Sequence, residues 1–311
     1  MRISIIIYYD LIKQNLIRCL DSINGNNFKD YEIIITNVND DVINIINNYT
    51  FLPIKLINEN VSSIGNAKNI ALDKAIGEYI MFMSSSDYLE MDFLDKMYSK
   101  AKTEDADIVA CDYKLTGKKI NKEVRLIKYD VPSDTITSPS LYVGFNIEMS
   151  NKIFKRILFL NNNMYFLENT EFDDYYLTLL LMKNSKIISK VNSILYNKYQ
   201  SKEKLNKIED IFNICDIVLK EYENSNNITK VAIFDITVVK LFKVLDIIAL
   251  EKDNVVRNVF INKVYDYLDE KIISWEKMEY FKGIIGNIKK NRKLYMIYLN
   301  IKNIMYRLKI I

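Results

Sequence analysis

Three serines and an aspartate, Ser84, Ser85, Ser86 and Asp87, follow directly on the apolar run Tyr79–Met83. A run of this kind is typical of a strand that is covered on both faces of a sheet. In open α/β sheets, ligands bind outside the carboxyl ends of the strands. The sequence therefore predicts a ligand site at this polar cluster.

Acid–base chemistry in this chain must use a carboxylate, a lysine or a tyrosine, because the 311 residues include no histidine. Histidine is also the commonest metal ligand, so sites of that kind are excluded. The three cysteines, Cys19, Cys111 and Cys215, lie far apart and form no CxxC pair. This usage is typical of small buried side chains in a reducing compartment.

Strands and helices are predicted to alternate at short spacing from residue 1 to about residue 113. This alternation predicts an α/β fold, with a mostly parallel sheet flanked by helices. From residue 202 onward the pattern is helical almost throughout. We therefore predict one domain over residues 1–200 and a helical domain over residues 201–311.

The individual elements follow from apolar runs and from helical spacing of apolar residues. The predicted strands are Ile3–Tyr8, Tyr31–Ile35, Ile54–Ile57, Tyr79–Met83, Asp107–Tyr113 and Ser185–Val191. The predicted helices are Leu11–Ser22, a short one opened by Asp40, Ala67–Ile76 (stopped by Gly77), Met91–Lys102 and Phe172–Met182. Val131–Ser140 is predicted to be a loop, which either covers a ligand or only connects two elements.

Several segments, in this order, resemble the inverting family 2 glycosyltransferases, which have the Rossmann-like GT-A fold. The segments are CLDSI at Cys19–Ile23, YEIII at Tyr31–Ile35, AKNIALDKAIGEYIMF at Ala67–Phe82, ADIVACD at Ala106–Asp112, NKIFKR at Asn151–Arg156 and FLENTEFDDYYLTLLL at Phe166–Leu181. The resemblance covers residues 2–200, and it implies a nucleotide-sugar donor.

The resemblance also implies which residues line the donor site. They are Tyr8, Tyr9 and Asp10 after the first strand, Asn37 and Asn39 after the second, Lys68, and the cluster Ser84, Ser85 and Ser86. Tyr8 and Tyr9 are placed to stack on a nucleobase, although as strand residues they could equally belong to the core. Lys68 stands where the family has an arginine, so the charge is kept without the bidentate fork.

The cluster departs from the family at the DxD motif, whose two acids are replaced here by Ser84 and Ser86. In the family a divalent cation such as Mg²⁺ or Mn²⁺ bridges this motif and the two donor phosphates. Asp87 is the one acid that remains in the motif. Its carboxylate either binds a metal ion or has a structural role. The chain either works with little or no metal or places a metal differently, and Lys68 could then balance the charge of the diphosphate.

On the acceptor side, Asp174 aligns with the family's general base, which deprotonates the acceptor hydroxyl. Asp173 and Glu168 are the other acceptor-side candidates. Acids at the start of a helix are also favourable with its dipole, which is the competing explanation for the acid pair. One of Lys152, Lys155 and Arg156 is a candidate anchor for a phosphate or carboxylate. The alternative is that the three side chains only form a solvated basic surface.

Residues 280–311 contain eight lysines or arginines and no acid. Apolar residues recur among them at helical spacing, from Leu294 to Leu308. A basic amphipathic helix suits an anionic membrane surface, and the alternative is a helix packed on its own domain or on a second subunit. Since the remainder of the chain shows no basic patch, we expect no binding to nucleic acid.

We therefore expect a glycosyltransferase that moves a sugar from a nucleotide-sugar, a UDP-sugar above all, to a glycan or lipid-linked hydroxyl. Surface polysaccharide or glycoconjugate synthesis is the expected process. The alternative is a non-catalytic subunit that stabilises or steers an active partner transferase, and a donor without uridine is a third idea. Because Met1–Tyr9 runs directly into a strand, we expect no signal peptide and a cytoplasmic protein, which lies at the inner face of the cell membrane if the basic helix binds there.

Overall fold

The computed structural model describes residues 1–58, 61–117, 120–126, 133, 138, 140–200, 207–249, 253–278, 281 and 283–307. The chain divides into two compact units, Met1–Lys202 and Glu203–Ile311. The first unit contains a sheet with helices, and the second contains helices. Most of the predicted loop Val131–Ser140 lies outside the described residues.

The strands of the first unit are, in chain order, β1 Ile3–Tyr8, β2 Tyr31–Thr36, β3 Ile54–Leu56, β4 Tyr79–Ser84, β5 Tyr88–Leu89, β6 Ile108–Thr116, β7 Asn121–Val124, β8 Lys152–Lys155 and β9 Ile188–Tyr199. Its helices are α1 Lys13–Asn24, α2 Asp40–Ile46, α3 Ile64–Lys74, α4 Phe93–Thr103, α5 Ser140–Gly144, α6 Ile157–Asn161 and α7 Asp173–Asn184. The strand order is β3-β2-β1-β4-β8-β6-β9-β5, and β7 pairs with β6.

The predicted fold class is confirmed, with a difference in the second half of the sheet. β3, β2, β1 and β4 run parallel, as predicted. β8 then lies antiparallel between β4 and β6, so the sheet is mixed. β8 has only four residues and two of them are lysines, a pattern too short to predict a strand. β6 and β9 are parallel to each other, and a bulge near Cys111 to Tyr113 interrupts their register.

Helix α3 differs from the prediction at both ends. It begins at Ile64, because the Ser63 hydroxyl accepts the backbone N–H of Asn66 at 3.1 Å and caps the helix. It ends at Lys74, before Gly77, so Gly77 does not stop it. Gly77 instead allows a close approach of the chain to β1: a Cβ there would lie 2.5 Å from the backbone nitrogen of Ser4. The Gly77 N–H donates to the Ser4 hydroxyl at 2.8 Å.

A buried carboxylate, that of Glu32 on β2, holds this turn in place. It accepts the Ser4 hydroxyl at 2.6 Å and the backbone N–H of Ile76 at 2.8 Å, and it forms an ion pair with the Lys55 ammonium at 2.7 Å. Burial opposes its ionisation, but these donors lower the pKa of Glu32 below its usual value. The network joins β1, β2 and β3 to the turn after α3, and so fixes where β4 begins.

The second unit is built from α8 Asp210–Glu221, α9 Asn227–Ile248, α10 Asn254–Lys271, a 3₁₀ turn Trp275–Lys277, α11 Gly283–Lys290 and α12 Arg292–Arg307. Its core is aromatic: the Phe242 ring lies 5.2–6.1 Å from those of Tyr265, Trp275, Phe281 and Tyr295. None of the described helices is long and apolar enough to cross a membrane.

Candidate functional site

The carboxyl ends of β1, β2 and β4 meet at one edge of the sheet. Tyr8, the last residue of β1, is paired in register with Thr36 on β2 and with Ser84 on β4. The segments that follow these strands therefore lie side by side. This edge brings together the predicted donor residues of all three segments.

Asp10 and Ser85 are joined directly across this edge. The Asp10 backbone N–H donates to the Ser85 hydroxyl at 2.9 Å, and that hydroxyl donates to the Asp10 carboxylate at 2.8 Å. The carboxylate also accepts from the Asn15 amide at 2.6 Å and from the Ile12 N–H at 3.1 Å. Both Asp10 oxygens are thus used to shape the turn between β1 and α1.

Three other donor-site candidates are engaged in local structure. Asn37, with a φ of 61° that asparagine tolerates, donates its amide to the Tyr9 carbonyl at 2.8 Å. Asn39 caps α2 by accepting the Val42 N–H at 3.2 Å. Tyr9 is fully buried, and its hydroxyl has no hydrogen-bond partner among the described residues. Tyr8, by contrast, remains partly exposed and available to a ligand.

Ser84 and Ser86 point to the same side and form a hydroxyl pair, their Oγ atoms 2.8 Å apart. The Ser86 backbone N–H also donates to the Ser84 hydroxyl at 3.2 Å. One hydroxyl donates to the other, so one of the two hydroxyl protons remains for a ligand. We call Ser84 and Ser86 the hydroxyl pair below.

Asp87 is buried and faces β9 instead. Its two carboxylate oxygens accept the Tyr196 hydroxyl at 2.5 Å and the Tyr199 backbone N–H at 2.9 Å. Burial raises the pKa of Asp87, and these two donors oppose the rise. The geometry therefore gives the Asp87 carboxylate a structural use, in attaching the end of β4 to β9.

Arg18 on α1 holds the same loop from the other side. Its guanidinium donates to the Ser86 carbonyl at 2.5 Å and lies 4.7 Å from the centre of the Tyr88 ring. It also lies 5.7 Å from the Tyr199 ring. Arg18 is not among the residues predicted from the sequence, because nothing in the pattern of α1 marks it.

Lys68 on α3 contacts both acids at the start of α7. Its ammonium lies 2.5 Å from Asp174 Oδ1 and 3.0 Å from Asp173 Oδ2, and 4.7 Å from the centre of the Phe166 ring. Burial opposes the charge of Lys68, but the two carboxylates raise its pKa well above the usual value. Burial likewise raises the pKa of Tyr8, and the charge of Lys68 opposes that rise.

The two acids differ in exposure. The side chain of Asp173 is 8% exposed, whereas that of Asp174 is 36% exposed. Burial, first of all, raises the pKa of Asp173, and Lys68 opposes it. Asp174 is therefore the more accessible of the two carboxylates, and both contact Lys68.

Contacts between α3 and the segment before α7 fix this arrangement. Asn69 donates to the Phe166 carbonyl at 2.9 Å and accepts the Phe166 N–H at 2.8 Å. Gly65 permits the approach, since a Cβ there would lie 2.4 Å from the Leu167 carbonyl oxygen. Glu168 is exposed and accepts the Asn66 amide at 2.8 Å. The AKNIAL pattern thus carries structural contacts as well as the charge of Lys68.

Lys152, a candidate anion anchor, is fully buried rather than solvated. Its ammonium donates to the carbonyls of Asn146 at 2.7 Å and Glu148 at 3.0 Å, and to Asn151 Oδ1 at 3.1 Å. Burial lowers the pKa of Lys152 to about 8. Lys155 pairs with Asp105 at 2.7 Å, and Arg156 donates to the Gly77 carbonyl at 2.9 Å. All three side chains therefore have protein partners.

A divalent cation does not fit the side chains at this edge. Mg²⁺ and Mn²⁺ prefer carboxylate oxygens, and the carboxylates of Asp10 and Asp87 are both engaged by protein donors. The remaining groups of the loop are neutral hydroxyls. Over the part of the chain that the structure describes, no cluster of three or more His, Cys, Asp or Glu could hold a metal ion.

Comparison with known proteins identifies the family. The sequence model of glycosyl transferase family 2 matches residues 4–170, more than half of the chain. The chain belongs to glycosyl transferase family 2. The resemblance seen in the sequence segments is thereby confirmed.

Two curated relatives and one solved structure extend the comparison. Cholesterol galactosyltransferase of Borreliella burgdorferi is 25% identical over 216 residues, 57% of this chain and 58% of that protein. Poly(ribitol-phosphate) beta-N-acetylglucosaminyltransferase TarP of Staphylococcus aureus is 25% identical over 182 residues, 56% and 55% of the two chains. The chain thus spans little more than half the length of these relatives.

The solved structure is that of S. aureus TarS residues 1–349 in complex with UDP-GlcNAc. It superposes with a TM-score of 0.71 at 17% identity, over 99% of this chain and 92% of that one. At this identity the likeness shows the fold, which is the GT-A fold with a mixed sheet flanked by helices, followed along the chain by a helical C-terminal region.

Proposed function

We propose that this chain transfers a sugar from a UDP-sugar to a hydroxyl group of a glycan or a lipid-linked acceptor. The observation that carries the proposal is the contact of Lys68 with Asp173 and Asp174. It joins a cation to an accessible carboxylate, and the helix that carries the cation packs against β1 and β2, two of the strands whose carboxyl ends form the candidate donor edge. Family membership supplies the reaction class.

Asp174 acts as the general base in this reaction. One of its oxygens takes the proton of the acceptor hydroxyl as the acceptor oxygen attacks the anomeric carbon of the donor sugar. The bond between that carbon and the diphosphate oxygen breaks, and the nucleoside diphosphate leaves with the electron pair. In-line attack inverts the configuration at the anomeric carbon.

The donor side is formed by Tyr8, Lys68 and the hydroxyl pair. Tyr8 is partly exposed at the end of β1 and offers an aromatic face to the nucleobase. Tyr9, Asp10, Ser85, Asn37 and Asn39 shape this edge through the contacts described above, and act on the donor through the backbone that they hold. Glu168 and Asp173 lie on the acceptor side.

The relatives support this choice of substrates. One of them is a galactosyltransferase that acts on cholesterol, and another transfers N-acetylglucosamine to poly(ribitol-phosphate). TarS was solved with UDP-GlcNAc. A UDP-sugar donor and a lipid or surface-polymer acceptor are therefore the substrates to test first.

The test is release of UDP from a panel of UDP-sugars by the purified chain, with water or added membrane lipids and glycans as acceptors. We expect release from one donor above the others, stimulated by the true acceptor. If no nucleotide-sugar is bound or cleaved, the enzyme proposal fails. Stabilisation of a second, co-purified transferase without UDP release would instead favour the non-catalytic subunit. The structural use of the Asp87 carboxylate is consistent with that alternative, because it leaves no acid of the motif for a metal.

We further propose that the protein binds peripherally to the inner face of the cell membrane through α12. Tyr295 and Leu299 are buried in the second unit, so one face of α12 packs on its own domain. Leu294, Ile297 and Ile301 are 50%, 55% and 52% exposed and follow one line along the helix. Together with the lysines and arginines of residues 280–311, this face suits an anionic bilayer surface.

A double substitution tests this membrane face. Ile297→Ser with Ile301→Ser is expected to weaken binding to phosphatidylglycerol vesicles about tenfold or more, because each buried isoleucine contributes about 1.5–3 kcal/mol. Ile228→Ser with Val231→Ser, on the equally exposed start of α9, is the matched control. Vesicle flotation is the measurement, and equal loss in the two variants would contradict a specific role of α12.

A further inference from the structure

The hydroxyl pair lies at the end of β4, where Ser84 is the register partner of Tyr8 on β1, and Lys68 lies on α3, which packs against β1 and β2. Neutral hydroxyls and an ammonium are groups that can bind an anion without a metal. We infer that this chain binds the diphosphate of its donor without a divalent cation, through the Ser84 and Ser86 hydroxyls and the ammonium of Lys68. The inference rests on the proposed nucleotide-sugar donor, and it concerns what balances the charge of that donor.

The side chains of the loop after β4 suit a phosphate better than a metal ion. A neutral hydroxyl is a weak ligand for Mg²⁺ or Mn²⁺, whereas it is a good hydrogen-bond donor to a phosphate oxygen. The hydroxyl pair retains one proton for such a bond. The loop is therefore built to contact the phosphate directly rather than through a metal.

The loop is also held rigidly. Arg18 holds the Ser86 carbonyl at 2.5 Å, and Asp87 is held by Tyr196 and Tyr199. Turning the Asp87 carboxylate toward a metal would leave the buried Tyr196 hydroxyl and the half-buried Tyr199 N–H without their acceptor, and the buried donor alone costs about 1–3 kcal/mol. Asp10 is held equally firmly, by Asn15 and Ser85. Neither acid is free to complete a metal site with the hydroxyl pair.

Lys68 supplies the positive charge in this site. α3, which carries Lys68, packs against β1 and β2, and the charge of Lys68 opposes the rise in the pKa of Tyr8, the register partner of Ser84. The Lys68 ammonium has three N–H donors, and Asp173 and Asp174 accept two of them. The third is available to a phosphate oxygen. A phosphate there also competes with Asp174 for Lys68, and so releases the base when the donor is bound.

The experiment measures binding of UDP, GDP, CDP and dTDP by calorimetry, with excess EDTA and with excess Mn²⁺ or Mg²⁺. For the nucleotide that binds, we expect the affinity of the unmodified protein to differ by less than about twofold between these conditions. Lys68→Met should lower the affinity by about tenfold or more in EDTA. Lys74→Met, an exposed lysine on the same helix, is the matched control.

A gain-of-metal variant sharpens the test. In Ser84→Asp with Ser86→Asp, two carboxylates face each other across the present 2.8 Å hydroxyl contact. They should repel the diphosphate in EDTA and bind it with Mn²⁺, so that the metal changes the affinity by about tenfold or more. Ser84→Asn with Ser86→Asn has the same size without the charge, and should show no metal dependence.

The outcomes separate this inference from the proposed function. Nucleotide binding by the unmodified protein that requires Mn²⁺ or Mg²⁺ would overturn the inference and leave the transferase proposal standing. Absence of binding to every nucleotide, with and without metal, would overturn both. A Lys68→Met variant that binds as tightly as Lys74→Met would remove Lys68 as the source of charge and overturn the inference in that part.

Discussion

Replacing Asp174 by asparagine is expected to lower the rate of sugar transfer by about 10²–10⁴-fold, the usual contribution of a positioned general base. Asparagine keeps the size of the side chain and can still accept a hydrogen bond from Lys68, but it cannot take the proton of the acceptor. The affinity for the donor nucleotide should be unchanged or higher, because Asp174 makes no contact with the donor in the proposed site and competes with its phosphate for Lys68. Initial rates and nucleotide affinity, measured on the same preparation, check both parts.

Asp173→Asn is the comparison that isolates the role of the base. It removes the same charge from the neighbouring residue and also leaves Lys68 with one carboxylate. Because Asp173 is buried and Asp174 is accessible, we expect a loss of less than about tenfold from this change, through the position of Lys68. Equal losses in the two variants would mean that the position of Lys68, and not proton removal by Asp174, limits the rate.

The order of strands and helices in the first unit could be predicted because each buried strand is a run of apolar residues. The β1 and β2 runs, Ile3–Tyr8 and Tyr31–Thr36, are buried along nearly their whole length. The ends of helices and strands are harder to predict from the sequence, because they depend on single contacts. The Ser63 cap starts α3 before its apolar pattern begins, and the close approach of Gly77 to Ser4 is a contact over 73 residues.

The site could be predicted only in part, because its side chains are brought together by contacts between distant residues. The resemblance indicated Lys68 and Asp174 separately, but their contact joins residues 106 apart and leaves no local pattern. The burial of Lys152 is also invisible in the sequence, where a lysine in a short polar segment indicates an exposed surface. The carbonyls of Asn146 and Glu148, a few residues earlier in the loop before β8, make its burial possible, and a loop that turns its carbonyls onto a lysine has no recognisable sequence pattern.

Asp87 is the residue for which a structural and a metal-binding role predict opposite results. Asp87→Ala is expected to lower the free energy of unfolding by about 2–5 kcal/mol, because the Tyr196 hydroxyl and the Tyr199 N–H both lose their buried acceptor. Asp87→Asn should cost about 1 kcal/mol, since the amide oxygen can still accept the Tyr199 N–H. Urea unfolding in the presence of EDTA measures both.

The free energy of unfolding should also depend on pH in a direction that the raised pKa of Asp87 determines. Burial raises the pKa of Asp87 in the folded protein, so the folded state retains its proton at pH values where the unfolded chain has lost it. The stability that Asp87 contributes is therefore lost as the pH rises from its unfolded value of about 3.9 through the raised folded value. The Asp87→Asn variant lacks this group, so its stability relative to the unmodified protein should increase from acidic to neutral pH. A carboxylate kept for a metal ion would behave differently: its removal would leave the metal-free stability unchanged or higher, and would abolish binding of Mn²⁺.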